Sequence, residues 1–116
     1  MFSGVGTVGT LLVPALFWQY VAANSNVTGP GVPAQNYLLL TALDVFYYGG
    51  ASNPAISIGS TGSSNTFFNW RPATSSEQSK QWSGLQVIDP TDNLFATIPD
   101  GTFDIRAAGF YWLSPV

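Results

Sequence analysis

The sequence provides few side chains that could carry out acid–base or nucleophilic catalysis. It contains neither histidine nor cysteine, so the most common general base and the thiol nucleophile are missing, as are the usual zinc and copper ligands. Lys80 lies in a polar segment, without apolar neighbours that would activate an amine. Serine and threonine are abundant, but no base accompanies them. The residue types therefore indicate a protein that is not an enzyme.

Two pairs of aspartates are close enough in sequence to suggest the paired carboxylates of glycoside hydrolysis, namely Asp89 with Asp92 and Asp100 with Asp104. The first three lie in short segments that contain proline or glycine, where aspartate is expected for its hydrogen bonds to the backbone. With Asn93, the first pair could also bind Ca²⁺ through oxygen ligands, but the segment follows no known calcium-loop pattern. We interpret these aspartates as turn residues, and no metal or other cofactor is predicted.

A further acid, Asp44, is the single charge within a long apolar stretch. A charge in apolar surroundings has to be paired or hydrogen-bonded. Arg106 occupies a similar position in the last apolar stretch of the chain. A structural ion pair between Asp44 and Arg106 is therefore predicted, either within one subunit or across a subunit boundary. The alternative is that Asp44 points to solvent.

Two tryptophans, Trp70 and Trp82, flank a polar segment and could stack on sugar rings, with Arg71 beside them. A tryptophan buries a large apolar area, however, so packing in the core or in an interface is the favoured interpretation of each. The triplet Asn-Val-Thr at 26–28 matches the N-glycosylation sequon. We interpret it as an ordinary polar loop, because no Lys or Arg precedes the apolar run at 11–18 and no secretory signal is predicted.

Composition excludes several classes of partner. Charged residues make up 8% of the 116 residues, and the net charge is −3. Three scattered cations, Arg71, Lys80 and Arg106, cannot neutralise a row of phosphates, so no nucleic-acid partner is expected. The apolar run at 11–18 is too short and too interrupted by proline to span a bilayer, so no membrane partner is expected. The 15% aromatic content argues against disorder.

The stretch from Tyr37 to Tyr48 is largely apolar, so the remaining chain has to shield it from water. Its aromatic and β-branched residues, with proline before it and two glycines after it, predict a long strand, and a three-turn helix is the competing interpretation. Strict alternation would place apolar side chains on both faces. Because one sandwich core covers only one face of a sheet, we expect Leu40 and Phe46 to meet a neighbouring subunit or a loop.

The other strands are predicted at 11–23, 55–58, 65–70, 85–88, 94–98 and 102–113, with loops at 24–35 and 71–81. Seven or eight strands separated by Gly, Pro and Asn turns indicate an antiparallel β-sandwich. The mixture of long and short strands suits a jelly-roll-like sandwich of about eight strands. Residues 11–116 are predicted to form this single domain, and residues 1–10 an extended N-terminal arm.

Two segments resemble a known family. Residues 32–45, VPAQNYLLLTALDV, are similar to the V-P-A-G-x-x-Y-x-L-T-x-V-x-V opening of small jelly-roll proteins from the virions of tailed phages. Residues 83–87, SGLQV, followed by residues 101–113, GTFDIRAAGFYWL, resemble their closing G-L-x-V … G … D-V-x-x-x-G-Y-x-L. The sequence departs from the pattern at Gln35, where glycine is preferred. The resemblance implies a head decoration, fibre or tail-tip protein, commonly trimeric, and it carries no catalytic residue.

The arm is glycine-rich, and each glycine weakens an isolated strand through lost chain entropy. We therefore expect its apolar side chains, Phe2, Val5, Val8 and Leu11, to lie on a neighbouring subunit or on a capsid shell. The alternative is that the arm folds back along its own domain as an edge strand.

Together these observations predict a non-enzymatic viral structural protein. The first expectation is a bacteriophage capsid decoration protein that binds the shell of the major capsid protein as a homotrimer, at the capsid surface of the virion. A receptor- or glycan-binding module of a phage fibre or tail tip is the alternative. A carbohydrate hydrolase on a sandwich fold is a more distant one.

Overall fold

The computed structural model describes residues 12–61 and 66–113, and every regular element within them is a β-strand. The strands are β1 (Leu12–Ala23), β2 (Asn26–Gly31), β3 (Asn36–Tyr47), β4 (Ala55–Ser60), β5 (Thr66–Trp70), β6 (Gln78–Ile88), β7 (Asn93–Asp100) and β8 (Thr102–Leu113). Among these residues no helix is long and apolar enough to cross a membrane. The predicted arm at 1–10, and with it Phe2, Val5, Val8 and Leu11, lies outside the described residues.

The strands form two four-stranded antiparallel sheets, in the orders β1-β8-β3-β6 and β2-β7-β4-β5. Apart from the connection between β4 and β5, which are hydrogen-bonded neighbours, every connection crosses from one sheet to the other. Eight strands wound in this order are those of a jelly roll. The predicted all-β, jelly-roll-like sandwich of about eight strands is confirmed.

The core lies between the two sheets and consists of aliphatic and aromatic side chains from both. Its largest fully buried members are Tyr47, Phe103, Leu38, Leu40, Leu43, Ile56, Ile58, Ile88, Leu94, Ile98, Ile105 and Val45. Five of these come from β3, which is central in its sheet and pairs with β8 on one side and β6 on the other. The long strand identified from sequence is therefore the main contributor to the core.

A β-bulge divides β3 into two halves. Opposite β8, the register passes from Leu40 paired with Gly109 directly to Ala42 paired with Ala108, so Thr41 is an extra residue in β3. The Thr41 hydroxyl donates a hydrogen bond of 3.2 Å to the carbonyl oxygen of Ala108. At Gly109 a side chain would collide with the carbonyl oxygen of Leu39. Glycine at this position thus permits the close approach of the two strands.

The bulge corrects the predicted assignment of side chains to the two faces of β3. Before it the even-numbered Leu38 and Leu40 face the core, and after it the odd-numbered Leu43, Val45 and Tyr47 do so. An extra residue reverses the alternation, since successive side chains point to opposite faces. Leu40 is consequently buried in the core of its own domain, and its predicted place on an intersubunit surface is wrong.

Two segments predicted as loops contribute strands. The segment 24–35 contains β2, in which the buried Val27 lies opposite Ala96 of β7. The segment 71–81 contains the first part of β6, where Gln78 to Gln81 pair with β3. Both strands lack an apolar periodicity because they are short or lie at a sheet edge with exposed side chains. Pairing with an apolar neighbour supplies the order that their own side chains do not indicate.

The buried Tyr47 fixes the loops on either side of β4 and β5 to the end of β3. Its hydroxyl accepts a hydrogen bond of 2.8 Å from the Ala51 amide and donates one of 3.0 Å to the carbonyl oxygen of Thr74. A buried phenol needs such partners, and here it also satisfies two backbone groups. Its ring packs against Phe103, at 5.2 Å between ring centroids.

Candidate interaction surface

One face of the sheet β1-β8-β3-β6 covers the core, and the other is directed away from it. We call the second face the outer face. Asp44 lies between Leu43 and Val45, which are both buried, and therefore points outward. Arg106 is flanked by buried residues in the same way and points outward from β8. The two residues singled out as an ion pair from sequence thus share one exposed surface.

Four polar side chains form a single row across the outer face. The strand register pairs Gln19 of β1 with Arg106, Arg106 with Asp44, and Asp44 with Gln81 of β6. We call these four residues the polar row. At a spacing of about 4.8 Å between strands, the row is roughly 14 Å long. Among the described residues, no other row of the outer face has a polar side chain in all four strands.

Arg106 does not form its ion pair with the residue opposite it. Its Nη2 donates to Oδ2 of Asp104, on its own strand, at 3.3 Å. The Nε2 of Gln19 approaches both carboxylate oxygens of Asp104 at 3.2 Å. Asp104 is only 6% exposed and is the one buried charged residue in the described ranges. A buried carboxylate requires donors more than a half-exposed one does, so Asp104 takes these donors instead of Asp44.

Asp44 consequently remains without a partner among the described residues. Within residues 12–61 and 66–113, no hydrogen bond or ion pair reaches its carboxylate. It lines an open groove of about 600 Å³ together with Arg106, Gln81 and Phe17. Ala42 and Ala108, in the adjacent row, line the groove, and their short side chains leave its space open. The predicted Asp44–Arg106 pair is therefore adjacent in register, yet not bonded within the chain.

Beside the polar row, the outer face is apolar. We call this area the apolar region, and its exposed members are Phe17 (70%), Leu85 (64%), Val87 (44%) and Phe110 (39%). Half-buried Leu39 lies between Val87 and Phe110 in the register. Clustered apolar side chains on one face of a soluble domain typically mark an interaction site, whereas scattered ones do not. This area was missed from sequence because its exposed members come from three strands, and only the strand register makes them neighbours.

The remaining residues predicted for interfaces or sugar stacking occupy different positions. Phe46 is half-buried on the outer face and packs edge-on against Tyr48, at 5.0 Å. Trp82 packs against Phe67 at 5.4 Å, and Trp70 packs against Phe103 of the core at 6.0 Å.

Both indoles are therefore partly buried against the core, as the packing interpretation expected.

The aspartates considered for catalysis serve the backbone or the polar row. Asp100 Oδ2 accepts a hydrogen bond of 2.8 Å from the Asn53 amide. The Asp92 amide donates to the carbonyl oxygen of Asp89 at 3.2 Å, which closes a turn. In the part of the chain that the structure describes, no group of three or more acidic residues is placed to hold a metal ion.

No protein-family model matches the chain, and no curated protein matches it significantly. The outer face is therefore the feature of the molecule that bears most directly on its function.

Proposed function

We propose that this protein is a non-enzymatic structural protein of a virion, and more specifically a decoration protein that associates with itself and binds the major capsid protein at the capsid surface. The observation that carries the proposal is the apolar region of the outer face, where four large apolar side chains are 39–70% exposed on one sheet. Such a surface is stabilised when another protein removes it from water.

Two further features support the same function. Jelly rolls recur in viral capsid proteins, although a fold alone does not determine a function. The sequence segments at 32–45 and 101–113 resemble phage virion proteins, and in the structure they fall on β3 and β8, the two central strands of the sheet that carries the outer face. The same resemblance implies three copies in the assembly.

The receptor- or glycan-binding alternative has less support. It depended on Trp70 and Trp82 as stacking surfaces, and both rings pack against apolar neighbours of their own domain. An enzymatic role has less support still, because the carboxylates of Asp100 and Asp104 accept structural hydrogen bonds, while the backbone groups of Asp89 and Asp92 close a turn.

The proposal is tested by mixing the purified protein with empty capsid shells of the virus that carries its gene. The protein should sediment with the shells, and its mass in light scattering should exceed 12.4 kDa, the mass of one chain. Leu85→Ser should weaken self-association, because it removes a large exposed apolar side chain from the apolar region.

Tyr20→Ser provides the matched control. Tyr20 is also exposed, but it alternates with the outer-face residues of β1 and so belongs to the opposite face. Its replacement should leave the mass and the sedimentation unchanged. A protein that does not sediment with the shells at any concentration is not a decoration protein.

A further inference from the structure

The polar row has a pattern that is complementary to its own reverse. In the order of the strands it reads Gln19, Arg106, Asp44, Gln81. Read backwards, the order of side chains is Gln, Asp, Arg, Gln. When the row faces a reversed copy of itself, each guanidinium lies opposite a carboxylate and each carboxamide lies opposite a carboxamide. Carboxamides carry both donors and acceptors, so two of them can pair with each other.

A twofold axis produces this reversal. The axis would run in the plane of contact, close to parallel with the strands, between β8 and β3. Rotation about it places Asp44 of each copy over Arg106 of the other. A surface that meets the same surface on a second copy can do so only through such an isologous contact. A ring of three copies would instead require the outer face to meet a different surface.

The groups at the proposed axis have unused bonding capacity. Asp44 has no partner among the described residues. The Arg106 side chain is 51% exposed and uses one nitrogen for Asp104, whereas a guanidinium has five N–H donors. Both groups are therefore able to form an intermolecular contact without giving up an existing one.

The rows next to the polar row fit the same contact. Ala42 and Ala108 form the adjacent row at the axis, and their short side chains allow two sheets to approach to the packing distance of about 10 Å. One row further, Leu39 of each copy would lie opposite Phe110 of the other. In these rows the rotation brings Leu39 over Phe110 and each charge of the polar row over an opposite charge.

We infer that the outer face binds the outer face of a second copy of this chain through a twofold axis, with Asp44 of each copy paired to Arg106 of the other. The inference rests on the self-association in the proposed function, and it gives two copies at this face in place of the three that the resemblance implies. The second sheet then remains for contact with a capsid shell.

Charge exchange tests the inference. Asp44→Arg places arginine opposite arginine across the axis, and Arg106→Asp places aspartate opposite aspartate. Each variant alone should dimerise on the order of 100-fold more weakly than the unaltered protein, because like charges brought together at an interface are strongly unfavourable. An equimolar mixture of the two should dimerise again, since each 44–106 contact is then between opposite charges.

Sedimentation equilibrium measures the masses, and circular dichroism checks that each variant is folded. An unaltered protein that is monomeric or trimeric overturns the inference, as does a mixture of folded variants that stays monomeric. If Arg106→Asp does not fold, since it also removes a donor from Asp104, then Asp44→Arg decides alone. A folded Asp44→Arg protein that dimerises as well as the unaltered one contradicts the proposed axis.

Binding to capsid shells separates this inference from the proposed function. If the protein forms the charge-dependent dimer but does not sediment with shells, the inference is supported and the decoration role is contradicted. If it sediments with shells as a monomer, the decoration role is supported and the inference is contradicted. A partner other than a second copy on the outer face, such as the capsid protein, gives this second result.

Discussion

Asp44 and Arg106 lie directly opposite each other on β3 and β8, and yet the Arg106 guanidinium binds Asp104, two residues away on its own strand. The choice follows from burial, because Asp104 is almost completely withdrawn from water and Asp44 is not. A single cation between two carboxylates stabilises the one that water solvates less. The exposed carboxylate is left available to another molecule.

Removal of the buried carboxylate should destabilise the domain. Asp104→Ala eliminates the acceptor of the Gln19 and Arg106 hydrogen bonds, and we expect the free energy of unfolding to fall by about 1–3 kcal/mol. Asp89→Ala, at an exposed turn, is the control and should cost less. Urea denaturation followed by tryptophan fluorescence measures both. Equal stability of Asp104→Ala and the unaltered protein would show that the carboxylate is dispensable.

The Tyr47 hydroxyl should matter more than an exposed one. Tyr47→Phe leaves the Ala51 amide without its partner and removes one of the two donors to the Thr74 carbonyl, which keeps the Gly50 amide. The free energy of unfolding should therefore decrease by about 1–3 kcal/mol. Tyr48→Phe removes the hydroxyl of an exposed neighbour and should have little effect. The same urea measurements apply, and hydrogen exchange should show faster exchange at Ala51 in the Tyr47→Phe protein. An unchanged exchange rate at Ala51 would contradict this role.

Gly109 should tolerate no side chain. Gly109→Ala directs a methyl group at the Leu39 carbonyl, which belongs to the backbone and cannot rotate away, and overpacking of this kind costs about 1–3 kcal/mol or more. Gly50→Ala is the control, because Gly50 has open space and a φ of +88°. It should cost about 1 kcal/mol through backbone strain alone. A Gly109→Ala protein that is as stable as the control would place the close approach in doubt.

Stability should depend on Tyr111 at alkaline pH. Burial raises the pKa of the Tyr111 phenol above its ordinary value of 10.0. The unfolded chain therefore loses this proton at a lower pH than the folded one, and the stabilisation present below pH 10 is lost as the pH rises through the folded-state pKa. Tyr111→Phe should flatten this alkaline decline. Melting temperatures between pH 8 and about 11 provide the comparison.

The fold was predictable from the sequence because its two central strands are long and rich in apolar residues. The apolar residues of β3 and β8, and the turn residues between strands, are sufficient to indicate a sandwich. The polar strand β6 was predicted only in part, since Ser79, Lys80 and Gln81 are exposed at a sheet edge and follow no apolar alternation. Their order comes from pairing with β3, which is a long-range relationship.

The candidate surface was less predictable than the fold. Asp44 and Arg106 could be paired from sequence because each is a rare charge in an apolar strand. Gln19 and Gln81 could not be added to them, because only the register of four strands places them in one line. The exposure of Phe17 could not be predicted either, because phenylalanine is usually a core residue.

The extra residue at Thr41 has a consequence for the alignment of related sequences. Ahead of it the core positions of β3 are even-numbered, and beyond it they are odd-numbered. A chain of the same architecture that lacks this residue would show its apolar positions displaced by one over the second half of the strand. Two such chains would share a fold and a surface while matching in only one half of their longest strand, unless a gap of one residue is allowed there.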